Sequence, residues 1–200
     1  MSERGKLIVV SGPSGAGKST VVFKVMEQRK DLCFSTSVTT RSPRPGEVDG
    51  REYFFIDPER FQQMVEQDEL LEHATYVSHS YGTPRQFVED KLNAGINVVL
   101  DIEVQGARQV SEKMPEAVKI FFAPPSLDEL ERRLTSRGTE TPEVVRGRLA
   151  RARQEYAEAD FYDYLIVNDD VEHAAAELSA IITAEHCRFH DRAEILRDRS

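Results

Sequence analysis

The sequence contains no long apolar run and little cysteine. A helix that crosses a membrane needs about 20 mostly apolar residues, and no segment of the 200 residues approaches that length. Cys33 and Cys187 are the only cysteines, and they form neither a Cys-x-x-Cys pair nor another metal-ligand spacing. Reduced thiols in a cytosolic protein are the simplest interpretation. We therefore expect no membrane span and no disulfide.

An excess of positive charge is also missing. The chain has 26 Lys and Arg against 35 Asp and Glu, a net charge of −9, which argues against general affinity for nucleic acid or anionic membranes. The segment MSERGKLIVV lacks the apolar stretch of a secretory signal, so we expect a cytoplasmic protein. Its oligomeric state is left open. An acidic protein that binds nucleotides must gather its basic residues locally.

Short apolar strands alternate with helical segments. The expected strands are LIVVS at 7–11, NVVLDI at 97–102, VKIFFA at 118–123 and YLIVN at 164–168. Helices are expected after Lys18, from Asp57-Pro58 to about Gln67, from Thr83-Pro84 to Gly95, from Ser126 through Arg137, from Thr141-Pro142 onward and in the C-terminal segment. This alternation predicts an α/β fold with a parallel sheet flanked by helices. Ligands of such sheets bind beyond the carboxyl ends of the strands.

One region breaks this rhythm. Residues 35–95 have more polar strands and a long loop rich in Ser, Thr, Pro and Gly, which indicates an inserted, partly independent lobe of mixed α+β structure. The polar connection RGTETPE at 137–143 suits a helical lid at about 126–159. We therefore predict a single domain whose core comprises residues 1–34, 96–125 and 160–200.

The stretch GPSGAGKS at 12–19 fits the phosphate-binding pattern G-x-x-x-x-G-K-[ST] between a predicted strand and a predicted helix. Glycines let the backbone turn its N–H groups inward, and the helix N-terminus adds partial positive charge. Lys18 is expected to reach the β- and γ-phosphates, and the Ser19 hydroxyl to bind Mg²⁺. The predicted ATP-phosphate site comprises Gly12, Pro13, Ser14, Gly15, Ala16, Gly17, Lys18, Ser19 and the adjacent Thr20. GTPases, motor ATPases and small-molecule kinases share this motif, so it does not decide the reaction.

A second group of residues suits a second phosphate. In STSVTTRSPRPGEVDGREY at 35–53, Arg41 and Arg44 lie three apart in a loop stiffened by prolines. Guanidinium forks match the oxygens of a phosphate dianion, and the phenols of Tyr53 and Tyr81 could complete the grip. Farther along, Ser37, Glu72 and Thr83 offer hydroxyls and a carboxylate of the kind that read the edge of a base.

Together these segments resemble guanylate kinase, the P-loop kinase family that phosphorylates GMP with ATP. The similarity covers essentially the whole chain, through GPSGAGKST, SVTTRSPRPGEVDGREYFF, LLEHA, YGT, LDIEVQGA, RRL, SRG and VND. The TTRxPRxGE segment is far more specific than the P-loop. The resemblance implies a P-loop NTPase-type sheet, a GMP-binding lobe at 35–95, a lid, Mg²⁺ and direct in-line phosphoryl transfer.

The resemblance also assigns the GMP site. It implies that the GMP phosphate is bound by Arg41, Arg44, Tyr53 and Tyr81, and that guanine is read by Ser37, Glu72, Thr83 and Glu103. Glu103 stands where many relatives have Asp, and Thr83 where many have Ser. A carboxylate suits guanine because guanine N1–H and its 2-amino group are donors, whereas adenine N1 is an acceptor.

Phosphoryl transfer depends on positioning and on stabilisation of negative charge. Besides Lys18 and Arg41, the candidates are Arg133 and Arg137 on one predicted helix and Arg148 on the next, which the resemblance implies close over ATP. Most other charges of this region are expected only to solvate a helix face.

Two polar residues end predicted strands. Asp101 ends VVLD and is expected to act through metal-bound water or a hydrogen bond to Ser19, with a strand-end cap as the alternative. Asn168 ends YLIVN, and the resemblance places it at ATP.

Two other functions stay open. A non-catalytic guanylate-kinase-like binding module would be expected to have a degraded P-loop, whereas Lys18 and Ser19 are intact. A related P-loop kinase with another phosphorylated acceptor would not need Ser37, Glu72 and Thr83 together. A GTPase would be expected to carry an Asn-Lys-x-Asp motif, which is absent.

Overall fold

A computed structural model of the protein describes residues 4–76, 78–136 and 141–193. The chain divides into two compact units, one formed by Met1–Ser11 and Asp31–Lys119, the other by Gly12–Lys30 and Ile120–Ser200. Among the described helices, none combines the length and the apolar character needed to cross a membrane. Arg137, predicted to take part in catalysis, lies outside the described residues.

The secondary structure alternates along much of the chain. The strands are β1 (Leu7–Ser11), β2 (Leu32–Phe34), β3 (Val38–Thr39), β4 (Phe54–Phe55), β5 (Leu70–Tyr76), β6 (His79–Pro84), β7 (Asn97–Asp101), β8 (Val118–Ala123) and β9 (Tyr164–Val167). The helices are α1 (Lys18–Gln28), α2 (Pro58–Glu66), α3 (Arg85–Asn93), α4 (Val104–Lys113), α5 (Leu127–Ser136), α6 (Pro142–Ala157), α7 (Val171–His186) and α8 (Phe189–Arg192), with a 3₁₀ turn at Ala159–Phe161.

The first unit contains a parallel sheet in the order β2-β7-β1. All residues of β1 are buried, as are the first four of β7, whereas the last residue of β7, Asp101, is exposed. Asn97 is the polar exception inside β7: its Oδ1 accepts from the Lys6 N–H (2.8 Å) and its Nδ2 donates to Asp31 Oδ2 (3.0 Å). These bonds compensate for burying an amide side chain.

A second, mixed sheet of the first unit has the order β4-β3-β6-β5. β3 pairs parallel with β4, and β6 pairs antiparallel with both β3 and β5. Val38, Phe61, Met64 and Leu70 form its core against α2. Asp57 caps α2 as predicted, because its carboxylate accepts from the Arg60 N–H (2.7 Å).

One helix boundary in this region differs from expectation and another agrees with it. We expected a helix to start at Thr83-Pro84, but β6 continues to Pro84, which pairs with Leu70, and α3 begins at Arg85. Pairing of β6 with β5 extends to Pro84, so this proline ends a strand although proline is also common in the first turn of a helix. Gly95 follows the end of α3 with φ of 80°, which confirms it as the residue that terminates this helix.

Helix α4 was not predicted from the sequence. Its buried residues include Val104, Ala107 and Val110, which recur every three positions and face one side. The helix packs along β5. This packing brings the segment after β7 to the strand that carries Glu72.

The second unit contains the parallel pair β8 and β9, with Ile120 opposite Tyr164 and Ala123 opposite Val167. Helices α1 and α7 pack on each other. Helices α5 and α6 enclose a separate apolar cluster of Leu130, Leu134, Val145, Leu149 and Ala152. Thr141 caps α6 at the predicted position.

Candidate functional site

The glycine-rich loop between β1 and α1 has a backbone that only glycine adopts easily. Gly12 and Gly17 have φ of 136° and 83°, in the region that side chains disfavour. Space excludes side chains as well: a Cβ on Gly12 would lie 2.1 Å from the Phe122 carbonyl oxygen, and one on Gly17 2.3 Å from Asn168 Nδ2. The loop is therefore shaped by close approach to β8 and to the residue after β9.

Asn168 holds this loop in place. Its side chain is 3% exposed, and its Nδ2 donates to the Ala16 carbonyl oxygen (2.7 Å). Its own carbonyl oxygen accepts from Arg133 Nη2 (2.9 Å). Asn168 thus links the phosphate loop to α5, a role that the sequence did not reveal; its predicted contact with ATP stays a prediction.

Arg133 is oriented by an acidic neighbour. Its Nε donates to Glu129 Oε1 (2.7 Å), and Arg132 binds both oxygens of the same carboxylate. Hydrogen bonds from Arg132 and then Arg133 lower the pKa of Glu129 to about 2. At the start of α5, Ser126 Oγ accepts from the Glu129 N–H (3.1 Å), whereas the Glu129 carboxylate contacts the arginines.

Two more predicted cations contact the loop itself. Arg148 Nη1 donates to Ser14 Oγ (2.7 Å), and Lys18 Nζ donates to the Gly12 carbonyl oxygen (2.6 Å). The second unit therefore gathers Lys18, Arg133 and Arg148 around one loop, as a site for a polyphosphate requires. Ser19 and Thr20 are exposed in the first turn of α1.

The donor set fits magnesium bound together with a nucleotide. Among the described residues, no group of three or more His, Cys, Asp or Glu could hold a metal ion by itself. Mg²⁺ in nucleotide sites usually takes few protein oxygens and obtains the rest from phosphates and water. An exposed hydroxyl at the end of the phosphate loop, Ser19, is a donor of that kind.

The first unit gathers the residues predicted to hold the GMP phosphate. Arg41 lies over the rings of Tyr53 (5.5 Å) and Phe55 (5.7 Å), and Tyr53 meets Tyr81 edge to face at 6.0 Å between ring centroids. Arg44 is exposed in the same loop. The structure thus brings Arg41, Tyr53 and Tyr81 together.

Glu47 organises this cluster, and sequence reasoning gave it no role. Its carboxylate accepts hydrogen bonds from both terminal nitrogens of Arg41 (2.9 Å each) and from the Arg44 N–H (2.7 Å). These hydrogen bonds lower the pKa of Glu47, and the bonds from Arg41 have the largest effect. The available signal for this contact was the position of Glu47 in TTRxPRxGE, because the proline-containing turn brings Glu47 back beside Arg41.

The predicted base-reading carboxylate is buried. Glu72 is 6% exposed and Thr83 is 1% exposed, and Thr83 Oγ1 donates to Glu72 Oε1 (2.7 Å). Burial, together with the charge of Glu103, raises the pKa of Glu72 against the opposing effects of the Thr83 hydrogen bond and Lys113. The structure therefore brings Glu72 and Thr83 together, and the charge of Glu103 acts on Glu72.

The remaining predicted residues of the first unit lie at element ends. Ser37 is half-buried immediately before β3, and Glu103 occupies the N-cap position of α4 without a side-chain capping bond. Asp101 is exposed at the carboxyl end of β7. Its predicted action on Ser19 or metal-bound water stays a prediction.

Comparison with known proteins decides the family. The family model described as guanylate kinase matches residues 4–185, which is most of the chain. The chain belongs to the guanylate kinase family. The resemblance inferred from the motifs is thereby confirmed.

Relatives within the guanylate kinase family match along almost their full length. The guanylate kinase of Oceanobacillus iheyensis is 52% identical over 188 residues, which cover 94% of this chain and 91% of the relative. That of Thermus thermophilus is 51% identical over 193 residues, covering 96% and 87%. The crystal structure of guanylate kinase from Anaplasma phagocytophilum superposes with a TM-score of 0.72 at 37% identity, covering 93% of this chain and 88% of that one. This similarity confirms the predicted α/β fold with a parallel sheet flanked by helices.

A first prediction concerns Asn168, which ties the phosphate loop of this guanylate kinase to the end of β9. Asn168→Ala removes the donor to the Ala16 carbonyl oxygen, and we expect the free energy of unfolding to fall by about 1–3 kcal/mol. Asn168→Asp places a carboxylate against that carbonyl and is expected to cost at least as much. Urea denaturation of both variants measures the effect; wild-type stability of either would contradict the assignment.

A second prediction concerns the pH dependence of stability. The pKa of Glu72 is raised in the folded protein, so between the ordinary carboxyl pKa and the raised one the folded state keeps a proton that the unfolded chain has lost. The contribution of Glu72 to the free energy of unfolding therefore falls as the pH rises through that window. Glu72→Gln removes this dependence, so the variant should gain stability relative to wild type across it. Parallel profiles in urea denaturation at a series of pH values would refute the raised pKa.

Proposed function

We propose that the chain transfers the γ-phosphoryl group of ATP directly to GMP, giving ADP and GDP. Guanylate kinases about 50% identical over most of the chain indicate this reaction. The single structural observation that carries the choice of acceptor is the buried Glu72 carboxylate, bonded to Thr83 in the unit that also holds the Arg41 cluster. A base and a phosphate could each find a matching partner there.

We assign the ATP phosphates to the loop from Gly12 to Thr20. Lys18, Arg133 and Arg148 supply the positive charge, and the Asn168 bond to Ala16 supports a loop whose N–H groups are fixed before ATP binds. Ser19 would hold Mg²⁺ together with the phosphate oxygens. When bound, Mg²⁺ neutralises charge on the β- and γ-phosphates. Arg137 is proposed to join this set as part of a lid at about 126–159.

We assign the GMP phosphate to Arg41, Arg44, Tyr53 and Tyr81. Glu47 supports this assignment, because it presents two carboxylate oxygens to the Arg41 fork as a phosphate would. The rings of Tyr53 and Phe55 contact the Arg41 guanidinium and help to hold it in place. A guanidinium ordered in advance loses little side-chain entropy when the ligand arrives.

We assign guanine to Glu72, with Ser37, Thr83 and Glu103 beside it. An ionised carboxylate accepts hydrogen bonds from guanine N1–H and the 2-amino group, whereas adenine would leave it buried and unpaired. A site that depends on matched hydrogen bonds can lower kcat/KM for the unmatched ligand by a factor of about 10⁴–10⁵. Because burial already raises the pKa of Glu72, an unpaired charge there is especially unfavourable.

The chemistry requires no protein nucleophile. The GMP phosphate is already ionised and attacks the γ-phosphorus in line, so the protein positions the groups and stabilises charge. Lys18 and the arginines do both for the transferred group. The intact phosphate loop also disfavours a non-catalytic binding module, and the Glu72–Thr83 pair disfavours an acceptor without a purine base.

A third prediction tests the function and the base-reading role together. With ATP and Mg²⁺, wild-type protein should release ADP with GMP and show far lower kcat/KM with AMP. Glu72→Gln turns an acceptor into a side chain that can also donate, so the GMP-to-AMP ratio of kcat/KM should fall by about 10-fold or more. A panel of nucleoside monophosphates in a coupled ADP assay measures this ratio. Failure of the folded wild type to use GMP would refute the proposed function, and an unchanged ratio in Glu72→Gln would remove Glu72 from base reading.

A fourth prediction concerns the phosphate grip. Arg44→Ala removes an exposed cation from the loop and should raise the KM for GMP by about 10- to 100-fold, because charged hydrogen bonds contribute about 1.5–3 kcal/mol. The KM for ATP should stay unchanged. Arg51→Ala is the matched control, since Arg51 is exposed and pairs with Glu52 in the same region. Equal effects of the two substitutions on the KM for GMP would remove Arg44 from the site.

A further inference from the structure

Helix α4 approaches the Glu72 carboxylate unusually closely at one residue, Gly106. Gly106 is buried, and a Cβ built on it would lie 3.0 Å from Glu72 Oε2 and 3.4 Å from Ile102 Cδ1. Even favourable C–H···O contacts have C···O distances of about 3.3–3.6 Å. A methyl group at this position therefore requires either the helix or the carboxylate to move.

The helix is held at this distance by polar contacts on the same face. The Gln109 side chain accepts from the His73 N–H and donates to the His73 carbonyl oxygen, both at 3.1 Å. One turn farther, Lys113 Nζ donates to the Leu70 carbonyl oxygen (2.7 Å) and binds Asp68. Since Gln109 and Lys113 grip the backbone of β5 on either side of Glu72, α4 cannot retreat without breaking them.

The carboxylate is confined from its other side as well. Thr83 binds Glu72 Oε1 at 2.7 Å, and both side chains are almost fully buried. One oxygen of Glu72 is therefore fixed by a hydrogen bond, and the other lies 3.0 Å from the position that a Cβ on Gly106 would occupy. Displacing Oε2 rotates the carboxylate and strains the bond to Thr83.

We propose that Gly106 is a positioning residue for guanine recognition: its missing side chain sets the plane of the Glu72 carboxylate, and α4 acts as a fixed stop behind it. The proposal rests on the proposed function, in which Glu72 pairs with guanine. Two neighbouring donors on guanine require both carboxylate oxygens in one plane with the base. A rotated carboxylate pairs with only one of them, so Gly106→Ala lowers kcat/KM for GMP by about 10- to 100-fold. The KM for ATP is unchanged.

A double-mutant cycle separates this role from a general effect on folding. The variants are Gly106→Ala, Glu72→Ala and the double substitution, measured by kcat/KM for GMP at saturating ATP. Glu72→Ala removes the carboxylate that the new methyl group would push, so adding Gly106→Ala to it should change kcat/KM by less than about twofold. Gly147→Ala is the matched control: Gly147 also lies inside a helix, but a Cβ there meets nothing within 4 Å, and kcat/KM should stay at the wild-type value.

Every outcome decides the proposal. An equal loss from Gly106→Ala in both backgrounds means that Gly106 acts through the packing of α4, and the proposal is wrong. Wild-type kcat/KM for Gly106→Ala also overturns it. Should Gly106→Ala fail to fold, a folded double variant supports the contact with Glu72, and an unfolded double variant refutes it.

A second measurement keeps failure of this proposal distinct from failure of the proposed function. Urea denaturation of wild type, the two single variants and the double variant reports the contact without any nucleotide. Gly106→Ala should lower the free energy of unfolding more when it is introduced into wild type than when it is introduced into Glu72→Ala. If wild type does not phosphorylate GMP but this coupling is present, the proposed function fails while the packing of Gly106 against Glu72 stands. If GMP is phosphorylated and neither stability nor kcat/KM shows coupling, the positioning role alone is wrong.

Discussion

The proposed recognition of guanine depends on one carboxylate that lies where burial opposes its charge. Glu72 is almost fully enclosed, and its pKa is raised because the protein replaces only part of the hydration it loses. Thr83 supplies one hydrogen bond, and the charge of Lys113 acts in the same direction. In the proposed function, the donors of the bound base replace part of the hydration that Glu72 loses. Under that proposal, the buried Glu72 acceptor favours a ligand with donors over one without them.

In the second unit the proposed ligand is the anion, and the protein supplies the hydrogen-bond donors. A phosphate loop needs N–H groups that stay unpaired by other elements, yet its backbone must be held still. Asn168 holds the backbone by donating to the Ala16 carbonyl oxygen, so it uses none of the N–H groups of the loop. The positive φ angles of the glycines set the direction of those N–H groups. Arg133 is attached to the same residue, so the loop and a cation of the predicted lid share one support.

Sequence reasoning succeeded where the signal is local and failed where it is not. The glycine-rich turn between β1 and α1, the Asp57 cap and the Gly95 terminator each depend on residues within a few positions of one another. The pairing of Glu47 and Glu129 with arginines was missed because an acidic residue near an arginine is common, and only the folded turn or helix shows which pairs form. Gly106 could not be interpreted at all from the sequence, since its meaning lies in a contact with a residue 34 positions earlier in the chain.

These acidic partners also reconcile a net charge of −9 with binding two polyanions. Arg41 is held by Glu47, and Arg133 by Glu129. Each carboxylate cancels part of the field of its arginine, which weakens long-range attraction to phosphate. In exchange the guanidinium is fixed in direction, so less side-chain entropy is lost when a ligand binds. In the proposed function, discrimination comes from short, directed hydrogen bonds rather than from overall charge, as selection of one monophosphate among many cellular anions requires.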